Sequence, residues 1–373
     1  MNKITSFLIS MGCLFTFSQC DMVENPNDET PIVPSSDYAK IAFLARITDG
    51  SSVWSLCTMD KSGGGLRKIV DKTVACQKPV CSHGRTKLLF TSVNFKTWTN
   101  PDNSVGMSSE YGLYIVNTDG TGLTLIDHVG PTEAAQFGHL AWSPDDRQIA
   151  YIKYSGEGFR KHDLILYNMT ENTRQSLKTK GDICTMSFSP DGKYMAYCAS
   201  TEACHSIYKM DISRGNSQLI IHNGSSPKWS PQGDKIVYSA QGSEGEAQLF
   251  IADSDGRNQK QLTFTVSPRR WPGWPPHGNQ NPQWTPDGRK IVYVSWENAK
   301  PEIFIMNVDG SKQTRLTKAE YRDENPEITP DGQSVLFSSR RTDMMDFGIV
   351  MMSLDGSNQK VLSRSGNYPV VCK

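Results

Sequence analysis

A short turn recurs along this chain and constrains its fold more than any other feature. Trp142-Ser143-Pro144-Asp145-Asp146 is followed by Phe188-Ser189-Pro190-Asp191-Gly192 and Trp229-Ser230-Pro231-Gln232-Gly233. Trp284-Thr285-Pro286-Asp287-Gly288 and Ile328-Thr329-Pro330-Asp331-Gly332 complete the series. From Ser143 the intervals between the hydroxyl residues are 46, 41, 55 and 44, and Val80-Cys81-Ser82-His83-Gly84 is a degenerate copy upstream. Spacings of this size mark a repeated supersecondary unit. In each turn the proline presets φ, the aspartate can accept from backbone amides and the glycine takes positive φ. A strand must therefore enter each turn and another must leave it.

A second turn, Asp-Gly, follows about 25 residues later at Asp119-Gly120, Asp255-Gly256, Asp309-Gly310 and Asp355-Gly356. Apolar strands precede it and short strands follow, so one unit is four antiparallel strands. Runs such as Ile291-Val292-Tyr293-Val294 and Ile303-Phe304-Ile305-Met306 do not alternate with polar residues. Both faces of each sheet must then be buried, which sheets packed face to face around an axis achieve. The expectation is an all-β, seven-bladed β-propeller of four-stranded antiparallel blades. Six complete units begin near Gln77, Gly138, Ile183, Ser225, Asn281 and Asn325. Strands at 41–45, 53–59 and 66–70 lack an innermost partner, which Asn367-Tyr368-Pro369-Val370-Val371 supplies. The ring is expected to close by this C-terminal strand joining the N-terminal blade.

The turn, followed by Lys290-Ile291-Val292-Tyr293 and by Ile303-Phe304-Ile305-Met306-Asn307-Val308-Asp309-Gly310, resembles the WD-like repeat of TolB-type propellers. The resemblance covers about residues 38 to 373 and is strongest in the last four units. TolB itself has six blades and a further N-terminal domain, for which this chain has no room. The resemblance therefore implies a TolB-like propeller that is not TolB.

The N-terminus reads as an address. Lys3 precedes an apolar run, Ile4 to Phe17, of signal-peptide length. Phe17-Ser18-Gln19-Cys20 resembles a bacterial lipoprotein processing site, although Gln19 stands where a small residue is usual. Residues 1–20 are thus expected to be a lipoprotein-type signal peptide, 21–37 a flexible tether and 38–373 the propeller. Lipidation at Cys20 would make the membrane a partner through the anchor alone. The protein would be an outer-membrane lipoprotein of the bacterial cell envelope, facing the periplasm or the surface. The alternative is a plain secreted protein that loses Cys20 with its leader. Lys+Arg and Asp+Glu both number 39, so no basic face is expected for nucleic acid.

Both turn classes lie on one rim of an up-and-down sheet, and every long insertion falls on the other. Ornament on one face of a rigid scaffold marks a binding face. The richest insertion runs from Ser267 to Asn279. Trp271 and Trp274 offer flat apolar surfaces there, while Arg269 and Arg270 offer forked donors for an anion. His277 and Asn279 flank them. Trp98, Tyr111, Arg160 and His139 are candidates to line the same face. The other reading packs both tryptophans as a plug and leaves the arginines solvated.

No catalytic constellation is expected: neither a Gly-x-Ser-x-Gly elbow nor a Gly-rich phosphate loop occurs. Neither a cofactor nor a metal is expected. Oligogalacturonate lyases, seven-bladed relatives of this class, use a metal held by several histidines and a glutamine. Asn279 and Asn281 stand where such a lyase would carry paired histidines. Cys184 and Cys198 flank the Ser189–Gly192 turn and should face each other across two strands, a possible disulfide. Cys76 and Cys81 could form a loop disulfide or remain thiols. The functional expectation is an envelope-anchored module binding a protein partner or an acidic oligosaccharide. The alternative is an oligogalacturonate-lyase-like enzyme, with Arg269 or Arg270 neutralising a uronate and His277 or Tyr111 moving the proton.

Overall fold

The structure is a computed structural model that describes residues 40–46, 54–71, 74, 77–99, 105–130, 135–156, 161–200, 205–243, 245–265, 278–298, 300–318, 320–342, 344 and 346–372. Among them, 28 strands form seven four-stranded antiparallel sheets and there is no α-helix. Blade 1 runs Asn367–Cys372, Lys40–Ala45, Ser55–Asp60, Arg67–Lys68, from the channel outwards. Its inner strand is the C-terminal one, in the register Lys40↔Cys372, Ile41↔Val371 and Ala42↔Val370. The other six blades are consecutive in the chain. Their inner strands are Val80–Cys81, Gln136–Trp142, Asp182–Phe188, Gly224–Trp229, Gln280–Trp284 and Arg322–Ile328. The seven-bladed ring and its closure are as the repeat implies.

The repeat residues explain themselves once placed. The turn hydroxyl donates to the aspartate two residues on, at 2.6 Å from Ser143, Ser189, Thr285 and Thr329. The same oxygen accepts the amide five residues on, at 2.9–3.0 Å. Where Gln232 replaces the aspartate, Asp234 accepts the hydrogen bond from Ser230 at 2.8 Å. Each tryptophan before the turn ties its blade to the one before it: Trp142, Trp229 and Trp284 donate Nε1–H to the carbonyls of Val80, Ser187 and Lys228 at 3.0–3.2 Å. A hydrogen bond of this kind contributes about 1 kcal/mol net. Between the blades, an aromatic occupies the third apolar position of the second strand all round the ring. These are Phe43, Phe90, Tyr151, Tyr197, Tyr238, Tyr293 and Phe337, every one at most 1% exposed. They are the wedges of the core. At the Asp-Gly turns the glycine is required by proximity: a Cβ at Gly256 would lie 2.0 Å from the Ile220 carbonyl oxygen of the preceding blade.

One insertion departs from expectation. The segment from Phe95 to Tyr111, read as a loop, largely continues the ladder of blade 2. Lys87–Thr99 pairs with Val105–Asn117 through to Thr99↔Val105. The corresponding strands of blade 6, Lys290–Ser295 and Glu302–Asn307, have six residues each. The hairpin therefore extends roughly 20 Å further, at about 3.3 Å per residue. It leaves from the rim at which the inner strands begin, and it carries Phe95 with 57% of its surface exposed.

Candidate functional site: the central channel

The inner strands share a distortion that aims side chains at the axis. In blades 3, 5, 6, 7 and 1 the ladder slips at a bulge whose first residue has positive φ: His139, Ser226, Asn281, Asn325 and Tyr368, between 44° and 56°. Asn tolerates this region, whereas His, Ser and Tyr adopt it at roughly 1–2 kcal/mol each. A proline follows at 227, 282, 326 and 369, and Lys78-Pro79 is the counterpart in blade 2. Proline has no N–H and so suits a bulge position that makes no ladder bond. All five prolines are buried. The residues on either side of them are partly or fully exposed, Val370 excepted, and these line the channel.

Charge collects there. Lys78 of blade 2 reaches Glu327 of blade 7, with Nζ 2.8 Å from Oε2. The ammonium of Lys228 in blade 5 makes no hydrogen bond or ion pair with the described residues. Burial holds its ammonium below the ordinary lysine range, Lys78 repels it further and Glu327 partly offsets both. His139 of blade 3 is pushed down to about 4, first by burial and then by Lys228. Its ring is open to the channel but walled by protein, so the imidazolium is poorly solvated and the neutral form holds at pH 7. Groups on blades 2, 3, 5 and 7 can influence one another this way only across the axis. With Lys78 and Glu327 paired, one ammonium remains uncompensated in a confined space.

The residues singled out in the sequence fall into three groups. Arg160, Arg269, Arg270, Trp271, Trp274 and His277 lie outside the described residues, as do Cys20 and Cys76. His139, a candidate for the loop-rich face, lies within the inner strand Gln136–Trp142 at its bulge. Trp98 sits in the long hairpin opposite Gly106, and its side chain is outside the described set. Tyr111, expected on the binding face, is half-buried against the apolar cluster of Leu113, Val129 and Phe137.

Asn279 requires a correction. It is fully buried, and its Nδ2 donates to Gln248 Oε1 at 2.9 Å and to Thr263 Oγ1 at 3.1 Å. Its amide lies between blades 5 and 6 as a structural strut, out of reach of a surface ligand. Cys184 lies in the bulge opposite Cys198; both are free thiols in this structure, donating to the carbonyls of Asp182 at 3.7 Å and Gly224 at 3.5 Å. The neighbouring Cys198, acting with His205 and His162 against burial, lowers the Cys184 thiol to about 6.

Sequence reasoning missed Lys78, Lys228 and Glu327. A signal was present: in five blades a proline stands three residues before the turn's Ser or Thr, or before Cys372 in blade 1, and its neighbours are the channel residues. Among the described residues, no three His, Cys, Asp or Glu side chains converge as a metal-binding group.

A family model described as the TolB beta propeller domain matches residues 98–281 and 276–369. The chain belongs to the TolB beta propeller domain family. An uncharacterized protein of Agrobacterium fabrum is 26% identical over 240 residues, covering 59% of this chain and 74% of that protein. The Tol-Pal system protein TolB of Thioalkalivibrio sulfidiphilus is 32% identical over 85 residues, which is 22% of this chain and only 17% of TolB. In three dimensions the chain is similar to an oligogalacturonate lyase in complex with manganese, with a TM-score of 0.56 at 15% identity, covering 86% of this chain and 83% of the lyase. At that identity the likeness is one of fold.

Proposed function

We propose that this chain is a binding module of the bacterial envelope that recognises an anionic ligand, an acidic segment of a protein partner or an acidic oligosaccharide, at the channel mouth on its loop-rich face. The observation that carries this reading is Lys228, a cation inside the channel with no partner among the described residues, beside the ion pair of Lys78 and Glu327. An ammonium in a confined, poorly solvated place gains more from an incoming anion than one on an open surface. The family fits a module that meets a protein, and the Tol-Pal protein among its relatives fits an envelope location. Anchoring through a lipid on Cys20, with residues 21–37 as tether, belongs to the same proposal. Arg269, Arg270, Trp271 and Trp274, from the richest insertion in the sequence, belong to the same proposal as further ligand contacts.

The second reading is a lyase acting on acidic oligosaccharides, favoured by the fold likeness to oligogalacturonate lyase. Titration with oligogalacturonate and with polyglutamate, alongside ultraviolet detection of unsaturated uronate, separates the two. Saturable binding that weakens with salt, without unsaturated product, is expected of the module. Product formation establishes the lyase. If neither polyanion binds at low salt, the anionic-ligand reading fails.

A further inference from the structure

Aligning the seven inner strands on their repeat exposes two departures that meet at one place. Two residues after the inner-strand proline stand Trp229, Trp284 and Ile328, large side chains that fill the gap to the preceding blade; in blade 2 this seat holds Cys81. Three residues after the proline stand Ser82, Ser230, Thr285 and Thr329, at the seat of the turn hydroxyl; in blade 1 it holds Cys372. Blade 1 needs no hydroxyl there, because its inner strand pairs with Lys40–Ala45 at the far end of the chain and no turn joins them. Both substitutions therefore fall at the junction of blades 1 and 2, where the ring closes.

The two side chains meet in one apolar cluster. Cys372 is fully buried in it with Leu88, Phe90 and Val370, its thiol donating to the Val370 carbonyl, and Cys81 packs against the same cluster half-exposed. Burial, with Cys81 nearby, holds the Cys372 thiol well above the ordinary range. Arg85 of blade 2 also donates to the Val371 carbonyl at 3.0 Å across the same junction.

We propose that Cys81 and Cys372 form an intramolecular disulfide that closes the ring covalently. The reaction is thiol–disulfide exchange with a dithiol–disulfide oxidoreductase or with oxidised glutathione. The Cys81 thiolate attacks one sulfur of the reagent and expels the other, forming a mixed disulfide. The Cys372 thiolate then attacks the Cys81 sulfur and expels the remaining reagent sulfur. Two protons leave the protein and two electrons end on the reagent, now two thiols. A buried, protonated Cys372 attacks slowly, so the bond forms while the C-terminal strand is docking. A link between residues so distant in sequence encloses nearly the whole ring and removes much of the unfolded chain's freedom. Formation in the cell rests on the envelope location proposed above, since that compartment is oxidising.

The test is peptide mapping of the full chain, alkylated before any reduction. Protein refolded in a glutathione redox buffer is expected to yield a Cys81 peptide linked to a Cys372 peptide. Reductant is expected to lower Tm by roughly 5–10 °C, and in Cys81→Ser/Cys372→Ser that drop should disappear. Recovery of both residues alkylated, or of either linked to another cysteine, overturns the proposal. A linked pair after refolding, with alkylated thiols in protein isolated from cells, supports the disulfide and overturns the envelope location instead.

Discussion

Two neighbouring junctions of the ring build the same seat from different chemistry. Between blades 5 and 6 it holds Gln248, Thr263 and Asn279, where Thr263 donates to Gln248 at 2.7 Å and Asn279 donates to both. Between blades 6 and 7 the equivalent residues are Glu302, Thr317 and Asp323. The threonine keeps its task in both, accepting the Leu249 amide at 2.9 Å and the Ile303 amide at 3.0 Å. Only the charge differs. Glu302 is fully buried, with Asn298 donating to Oε2 at 2.8 Å and Arg315 3.7 Å from Oε1. Asp323 is 2% exposed, and its Oδ1 has no hydrogen-bond partner among the described residues. Burial raises its carboxyl to about 6, with Glu302 pushing the same way; Ser339, Thr317 and Arg341 pull it down without prevailing. Asn279 Oδ1 also lacks a partner among the described residues, but the amide is neutral and its Nδ2 is bonded twice, whereas at the next junction the unpartnered oxygen belongs to a carboxyl that can ionise.

Moving the carboxyl should have the largest effect. Asn279→Asp places an acceptor against Gln248 Oε1 in a fully buried site, and a loss of about 3–5 kcal/mol is expected at pH 8. Chemical denaturation should show part of it recovered at pH 5, where the new carboxyl can be protonated. The reverse exchange, Asp323→Asn, should stabilise. A carboxyl raised in the folded state lends stability below its unfolded value near 4 and loses it as pH rises through about 6. The gain should therefore reach up to about 3 kcal/mol at pH 8 and vanish near pH 4. A pH-independent effect would mean that Asp323 does not titrate as its burial requires. Glu302→Gln should be milder, about 1–2 kcal/mol in either direction as Arg315 loses its partner and Asp323 its repulsion. NMR titration should then find the Asp323 midpoint lowered. Smallest is Trp284→Phe, which removes the Nε1–H bond to Lys228 but keeps the ring. About 1 kcal/mol of destabilisation is expected from thermal melts.

How far these features were legible depended on whether they repeat. The turn and its aspartate recur in blade after blade, so spacing alone located them, and the C-terminal strand could be assigned by the seat it filled. Asn279 was misplaced because it borders the Trp271–Trp274 insertion in sequence, while its amide turns inward between blades. Lys228 and Glu327 are single residues at a repeating position, invisible until the ring brings blades 2, 3, 5 and 7 around one axis. Cys81 and Cys372 are 291 residues apart. Only closure makes them neighbours.

The most direct test of the channel as the binding site is calorimetric titration of oligogalacturonate or polyglutamate, whichever binds the wild type, into Lys228→Met at low and moderate salt. With the unpaired ammonium as the anion's main contact, affinity should fall at least about tenfold and its salt dependence should flatten, while Tm holds or rises as a buried charge is removed. A variant that binds as tightly as the wild type, with the same salt dependence, would contradict the channel site.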